Sequence, residues 1–212
     1  MKNIIFLLIL FVSNLLVAEA FSQGTSHSFT EAGLKLFENG SYSEALLKFS
    51  LAIEAEPSHS QAYYMRGNTK KIFEDYHGAM KDYNTAIELN TTFPEAYFER
   101  GNVKYELQDY YGAIEDYSEV IRLNENHINA YFKRGQARQQ LEAFQDAIND
   151  CTKILEINPK NVDAYFLRGL LRIEHGLLQE GCLDLSKAGE MGDVKAYEVI
   201  RDVCNRKTLS NK

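Results

Sequence analysis

The sequence is poor in the residues and motifs that build most catalytic and metal sites. Its 212 residues include three cysteines, three prolines and five histidines. No HExxH or CxxC metal motif, no GxSxG nucleophile motif and no glycine-rich phosphate loop is present. We therefore expect no enzyme, no metal and no cofactor, and we expect the histidines on the surface or in turns.

Positive charge is also scarce. The chain has 23 lysines and arginines against 30 aspartates and glutamates, which gives a net charge of −7. Proteins that bind nucleic acid or anionic lipid need a basic face. This balance argues against both kinds of partner.

Long apolar runs are absent after the N-terminus. Residues 4–17 are apolar except for Ser13 and Asn14, Lys2 precedes them, and Ala18-Glu19-Ala20 follows. This layout predicts a secretory signal peptide over residues 1–20 and a secreted or periplasmic protein without a membrane span after cleavage. The alternative is an uncleaved anchor, but the run is shorter than the ~20 residues that a spanning helix needs.

Small residues recur with a fixed period. The glycines of one series lie 34 residues apart, as do alanines of a second series in which a glycine takes the fifth place. The two series are Gly33, Gly67, Gly101, Gly135 and Gly169, and Ala45, Ala79, Ala113, Ala147 and Gly181. A strict period of this length indicates a repeat array.

Each period has the pattern of two antiparallel helices. In residues 94–127, Pro94 can occupy a first helical position, and Gln108-Asp109 interrupts the first helix. An apolar stripe of period near 3.6 restarts at Tyr110 and ends before Asn124. A mid-helix glycine costs about 1 kcal/mol relative to alanine, so we expect Gly101 to permit close approach of the paired helix.

These residues resemble the tetratricopeptide repeat. The resemblance rests on Tyr97, Arg100-Gly101, Ala113 and Tyr117, and on the equivalent residues of the other units. It implies an all-α, right-handed superhelical solenoid of five antiparallel hairpins with a C-terminal capping helix. The expected units, cap and frayed tail are residues 26–59, 60–93, 94–127, 128–161 and 162–195, then 193–206, then 207–212, with the array spanning 26–195.

A charged pair also recurs. Four arginines each precede an aspartate by 16 residues, namely Arg66 and Asp82, Arg100 and Asp116, Arg134 and Asp150, and Arg168 and Asp184. The first unit has Ala32 and Lys48 instead. Residues so spaced face each other in an antiparallel hairpin, so we expect Arg–Asp pairs that brace successive hairpins. The alternative is a set of independently solvated charges.

The resemblance also implies a concave binding groove formed by the first helices. Its candidate residues are Tyr64, Asn68, Phe98, Asn102, Phe132, Lys133, Gln136 and Phe166. Amides can hydrogen-bond an extended backbone, and aromatic rings supply contact area. The alternative assigns the aromatic rings to the core between repeats. The heat-shock chaperone clamp of this family is incomplete here, because Tyr64 and Glu99 replace its Lys and Asn.

The three cysteines divide into two kinds. Cys151 occupies an aromatic position of the repeat, which predicts a buried free thiol. Cys182 and Cys204 lie on helices expected to be antiparallel, and secretion permits their oxidation. The alternatives are a disulfide between them and two buried thiols.

The predicted function is a protein–protein interaction scaffold that binds a peptide or helix of another protein in the groove. The sequence leaves the identity of that partner and the oligomeric state open. One alternative is a structural subunit of an envelope complex or a self-assembling scaffold. The other, favoured by no motif, is an enzyme or metal-binding protein.

Overall fold

The computed structural model describes residues 23–204, and all regular secondary structure in this range is helical. The predicted signal peptide at residues 1–20, the last residues of the predicted capping helix and the tail at 207–212 lie outside this range. No helix of the described range is both long and apolar enough to cross a membrane. The predicted all-helical fold of hairpin repeats is confirmed.

First and second helices alternate along the chain. The first helices are α1 (residues 23–38 in the described part), α3 (Ser60–Ile72), α5 (Pro94–Glu106), α7 (Ile128–Gln140) and α9 (Val162–Glu174). The second helices are α2 (Tyr42–Ala55), α4 (Tyr76–Leu89), α6 (Tyr110–Leu123), α8 (Phe144–Ile157) and α10 (Leu178–Glu190). A final helix, α11 (Val194–Val199), continues as a π-helical turn over Ile200–Cys204, within the stretch predicted as the cap.

One backbone feature turns the chain between the two helices of every repeat. The residue two positions before each second helix has a positive φ, and these residues are Gly40, Glu74, Gln108, Glu142 and Gly176. Only glycine adopts this conformation without steric cost. In the next position, Asp75 and Asp109 cap α4 and α6, because their carboxylates accept hydrogen bonds from the backbone N–H groups of Gly78 and Gly112.

The chain divides within α5, after Val103, into two compact units. In the first unit, the ring of Tyr83 is fully buried, and its nearest carbon would lie 2.7 Å from a Cβ added at Gly67. In the second unit, a Cβ at Gly169 would lie 2.8 Å from Leu185 and 3.0 Å from the backbone oxygen of Gly181. A Cβ at Gly33 would likewise lie 2.6 Å from the Phe49 ring. Gly33, Gly67 and Gly169 therefore permit the close helix approach that the sequence suggests.

Candidate functional site

Buried aspartates on the second helices form ion pairs with arginine and lysine side chains of the first helices. Asp82 is 1% exposed and accepts a two-pronged contact from Arg66, with 2.9 Å from Nε to Oδ2 and 2.7 Å from Nη2 to Oδ1. Lys70 lies 2.7 Å from Oδ2 of the same carboxylate. The guanidinium's pKa is raised, chiefly by its hydrogen bond to Asp82. A buried ion pair needs several hydrogen bonds to offset the free-energy cost of removing its charges from water. The contacts from Arg66 and Lys70 supply them for Asp82.

The second unit repeats the arrangement twice. Arg134 and Arg138 hold Asp150, and Arg168 and Arg172 hold Asp184. The 16-residue pairing is thus present in three hairpins. The fourth predicted pair, Arg100 with Asp116, would join residues of different units and stays a prediction.

Each arginine of this series has a further partner that the sequence reasoning missed. The second helix that precedes it offers a polar side chain 16 residues earlier, and the pairs are Arg66 with Ser50, Arg100 with Asn84, Arg134 with Ser118 and Arg168 with Thr152. The guanidinium also lies over the ring of the tyrosine three residues before it, as Arg66 does over Tyr63 at 5.5 Å. The recurrence of hydroxyl and amide residues at 34-residue steps was the available signal. These arginines therefore link each hairpin to the preceding one.

In the first unit, the predicted binding residues of α3 lie in a connected polar cluster. The Tyr83 hydroxyl donates to Oδ1 of Asn68 at 2.7 Å, and the rings of Tyr64 and Tyr83 lie 6.2 Å apart. Burial raises the pKa of Tyr64, the hydrogen bond to Asn68 opposes this rise, and the nearby Glu99 and Glu95 add to it. Asn68 therefore already uses its carbonyl oxygen within the protein.

The adjacent helix α5 contacts this cluster through charge. Lys71 of α3 forms a short ion pair with Glu99, and Nδ2 of Asn102 donates to the same carboxylate at 3.2 Å. Phe98 is partly buried. The first-helix faces of α3 and α5 are thus joined side by side in this unit, at the positions predicted for binding.

In the second unit, the aromatic positions contribute to the core. Phe132 packs against a buried cluster that contains Cys151 and Leu171, and Phe166 packs against a cluster that contains Leu185. Both rings remain partly exposed. Each of these two rings therefore supports the core and also presents surface, so placement in the groove and placement in the core between repeats are not exclusive.

The polar residues of α7 are more available. Lys133 lies over the Tyr105 ring at 5.9 Å, and Gln136 makes no hydrogen bond to any residue of the described range. Gln139 donates to both oxygens of Glu174 at 3.1 and 3.0 Å, which joins the first helices α7 and α9. Lys133 and Gln136 are therefore the predicted site residues best able to contact a ligand.

One serine–histidine contact lacks the geometry of a catalytic nucleophile. Oγ of Ser26 lies 2.6 Å from Nδ1 of His59, and Glu56 lies 3.8 Å from the same nitrogen. A catalytic relay needs the hydroxyl and the carboxylate on opposite ring nitrogens. Ser26 is also fully buried and donates to the Ala52 carbonyl. This group therefore fastens α1 to the C-terminal turn of α2 and to the N-cap of α3.

No group of three or more histidine, cysteine or acidic side chains that could hold a metal occurs between residues 23 and 204. Cys151 is a buried free thiol, as predicted, and burial, followed by the charge of Asp150, raises its pKa to about 12. Such a thiol is not a ready nucleophile. Cys182 and Cys204 are joined by a disulfide, with their Cα atoms 6.0 Å apart.

Comparison with known proteins identifies the repeat. Residues 74–108 and 101–142 match a family model described as TPR repeat, and residues 128–161 match one described as tetratricopeptide repeat. A search of curated protein sequences gave no match.

Several solved structures share the fold. A MamA crystal structure is 25% identical, with a TM-score of 0.75 over 82% of this chain and 94% of its own. YrrB, described as a TPR protein with an unusual peptide-binding site, is 20% identical, with a TM-score of 0.74 over 82% and 90%. MamA from Desulfovibrio magneticus RS-1 is 17% identical, with a TM-score of 0.74 over 79% and 94%.

Proposed function

We propose that the chain, whose residues 74–161 match tetratricopeptide-repeat models, is a scaffold that binds a peptide or helix of another protein on its first-helix faces. The observation that carries this proposal is the difference between the two helix types. The second helices α4, α6, α8 and α10 each commit one aspartate to a buried ion pair, whereas the first helices present partly exposed aromatic rings beside polar side chains. Such a surface offers apolar area and hydrogen bonds to an extended or helical segment.

Capture of partners from native extract tests this proposal with two matched variants. The double replacement Lys133→Ala and Gln136→Ala alters the first helix α7. The control, Lys153→Ala and Gln145→Ala, removes the same residue types from exposed positions of the second helix α8. We expect a bound protein to be lost from the α7 variant only. Equal retention by both variants, each still helical by circular dichroism, would move the site away from this face.

The alternative of a structural or self-assembling subunit has less support. The large apolar side chains that second helices expose are single residues on different helices, such as Leu47 at 58%, Tyr111 at 73% and Leu183 at 71%. Isolated exposed residues of this kind are ordinary on soluble proteins. We therefore retain peptide binding as the primary proposal.

Export from the cytoplasm is a further part of the proposal. It is supported by the N-terminal sequence pattern and by the disulfide between Cys182 and Cys204, since such bonds persist in oxidising compartments. Alkylation of denatured, unreduced protein from its native host should modify one cysteine, Cys151, out of three. Modification of all three would contradict export.

A further inference from the structure

On the first helices, positively charged side chains have partners within the protein more often than negatively charged ones do. Every lysine and arginine of α3, α5, α7 and α9 has a partner within the protein. These residues are Arg66, Lys70, Lys71, Arg100, Lys104, Lys133, Arg134, Arg138, Arg168 and Arg172. Most of this positive charge neutralises the buried aspartates of the second helices, whereas the Lys133 ammonium contacts only the Tyr105 ring among the described residues and keeps its charge available.

Some negative charges of the same helices also have partners, since Glu99 pairs with Lys71 and Glu174 accepts from Gln139, but other carboxylates do not. Glu95 and Asp163 are exposed, and neither forms a hydrogen bond or ion pair with any residue in the range 23–204. Both lie in the first turn of a first helix, α5 and α9 respectively. The positive end of each helix dipole favours a carboxylate at this position, and the exposed oxygens can still contact an external cation.

Each of these carboxylates has an aromatic neighbour on the same helix face. Phe98 follows Glu95 by three residues, and Phe166 follows Asp163 by three. Residues three apart on a helix are surface neighbours. In the first unit Glu95 also acts on the Tyr64 hydroxyl, whose pKa rises chiefly through burial and in part through this charge. A carboxylate beside a partly exposed ring is a favourable site for lysine or arginine, which can make an ion pair and a cation–π contact together.

We propose that the partner segment is basic, and that its lysine or arginine side chains dock at Glu95 beside Phe98 and at Asp163 beside Phe166. This inference rests on the proposed function, because it assigns chemistry to the same first-helix faces. The two points lie in different units, and each is a complete docking point by itself. The committed occupant is a peptide segment that combines positive charge with apolar residues.

Fluorescence anisotropy with three labelled peptides tests the inference. The peptides share one frame of leucine and phenylalanine and carry lysine, glutamine or glutamate at all remaining positions. We expect the lysine peptide to bind roughly tenfold more tightly than the glutamine peptide at low salt, with the preference shrinking at high salt. The glutamate peptide should bind most weakly.

Charge-removal variants locate the preference. Glu95→Gln and Asp163→Asn should each weaken lysine-peptide binding, and together they should bring the lysine-to-glutamine preference below about threefold. The control Glu88→Gln with Glu115→Gln removes two exposed carboxylates from the second helices α4 and α6 and should leave the preference intact. All four changes keep side-chain size, so folding should be preserved.

The outcomes separate this inference from the proposed function. If all three peptides bind equally and the α7 variant abolishes their binding, the binding face stands and the basic partner is wrong. If the lysine preference follows Glu88 and Glu115 instead, the cation docks on the second helices and the inference is also wrong. If no peptide binds, a basic segment is not the ligand. If binding ignores both the α7 variant and the charge variants, the proposed function fails too.

Discussion

Hairpins α3–α4 and α7–α8 occupy equivalent repeats but use their central glycine differently. A Cβ added at Gly67 would lie 2.7 Å from the Tyr83 ring, closer than real contacts allow. At Gly135 the nearest atoms are 3.7 Å away, on Ala147 and Asp150, and the side chain in the ring's place is that of Cys151, at 4.0 Å. The same position of the repeat is therefore restricted to glycine by packing in one hairpin and leaves room for a side chain in the other.

The largest expected loss of stability comes from removing the Arg–Asp pair that both hairpins contain. Arg66→Ala and Arg134→Ala each remove the two-pronged contact from a buried aspartate, and each should cost about 3 kcal/mol of unfolding free energy. The cost should not be larger, because Lys70 still pairs with Asp82 and Arg138 still pairs with Asp150. Urea unfolding followed by circular dichroism measures both values. A loss below about 0.5 kcal/mol, the range of exposed pairs, would mean that the bracing contributes little.

Alanine at the two glycines should have opposite effects. Gly67→Ala forces the buried Tyr83 ring to move and should destabilise by about 1–3 kcal/mol. Gly135→Ala meets ordinary contact distances and should stabilise by up to about 1 kcal/mol, because alanine is the better helix former. Thermal melts of the two variants beside wild type provide the measurement. Destabilisation of similar size at both positions would contradict the comparison.

A double-mutant cycle converts the first hairpin into the second. Tyr83→Cys removes the ring and is itself destabilising, because the ring is fully buried. In that background Gly67→Ala should cost at least about 1 kcal/mol less than in wild type, since contacting residues are coupled. The cost of Gly67→Ala in both backgrounds, obtained from urea unfolding, gives the coupling. Equal costs would show that something other than the ring restricts Gly67.

The smallest effect concerns the turn that both hairpins share. Glu74 and Glu142 have φ values of 60° and 56°, a left-handed conformation that costs roughly 1 kcal/mol for a residue with a Cβ. Glu74→Gly and Glu142→Gly should therefore each stabilise by up to about 1 kcal/mol, offset in part by chain entropy. Gly40→Ala, at a φ of 78°, is the reciprocal control and should destabilise. Differential scanning calorimetry can measure both the expected rise in melting temperature for the glycine variants and the expected fall for Gly40→Ala.

The fold was predictable because periodicity is a property of sequence. The recurrence of Gly67 and Ala79 at fixed intervals predicted helix pairs, and Pro94 does begin α5. The 16-residue pairing of Arg66 with Asp82 followed from hairpin geometry alone. Sequence could not show that Gly135 is unconstrained, because that depends on the distance to Cys151 in three dimensions.

The candidate site was less predictable, because several of its residues also pack against the hydrophobic core. Periodicity placed Tyr64 and Phe132 on one helix face, but both rings also contact buried clusters. The amide of Asn68 already accepts from Tyr83, which a spacing argument cannot reveal. That Glu95 forms no ion pair within the described residues could not be predicted from the sequence, because it depends on which carboxylates the neighbouring lysines and arginines contact in three dimensions.

Site-specific photo-crosslinking tests the central claim, partner binding on the first-helix faces, most directly. A benzophenone amino acid is placed at Gln136 of α7 in one variant and at Gln145 of α8 in another, both expressed in the native host. We expect a discrete partner adduct from position 136 and none from position 145. An adduct from position 145 with none from position 136 would contradict this claim and place the interaction on the second helices.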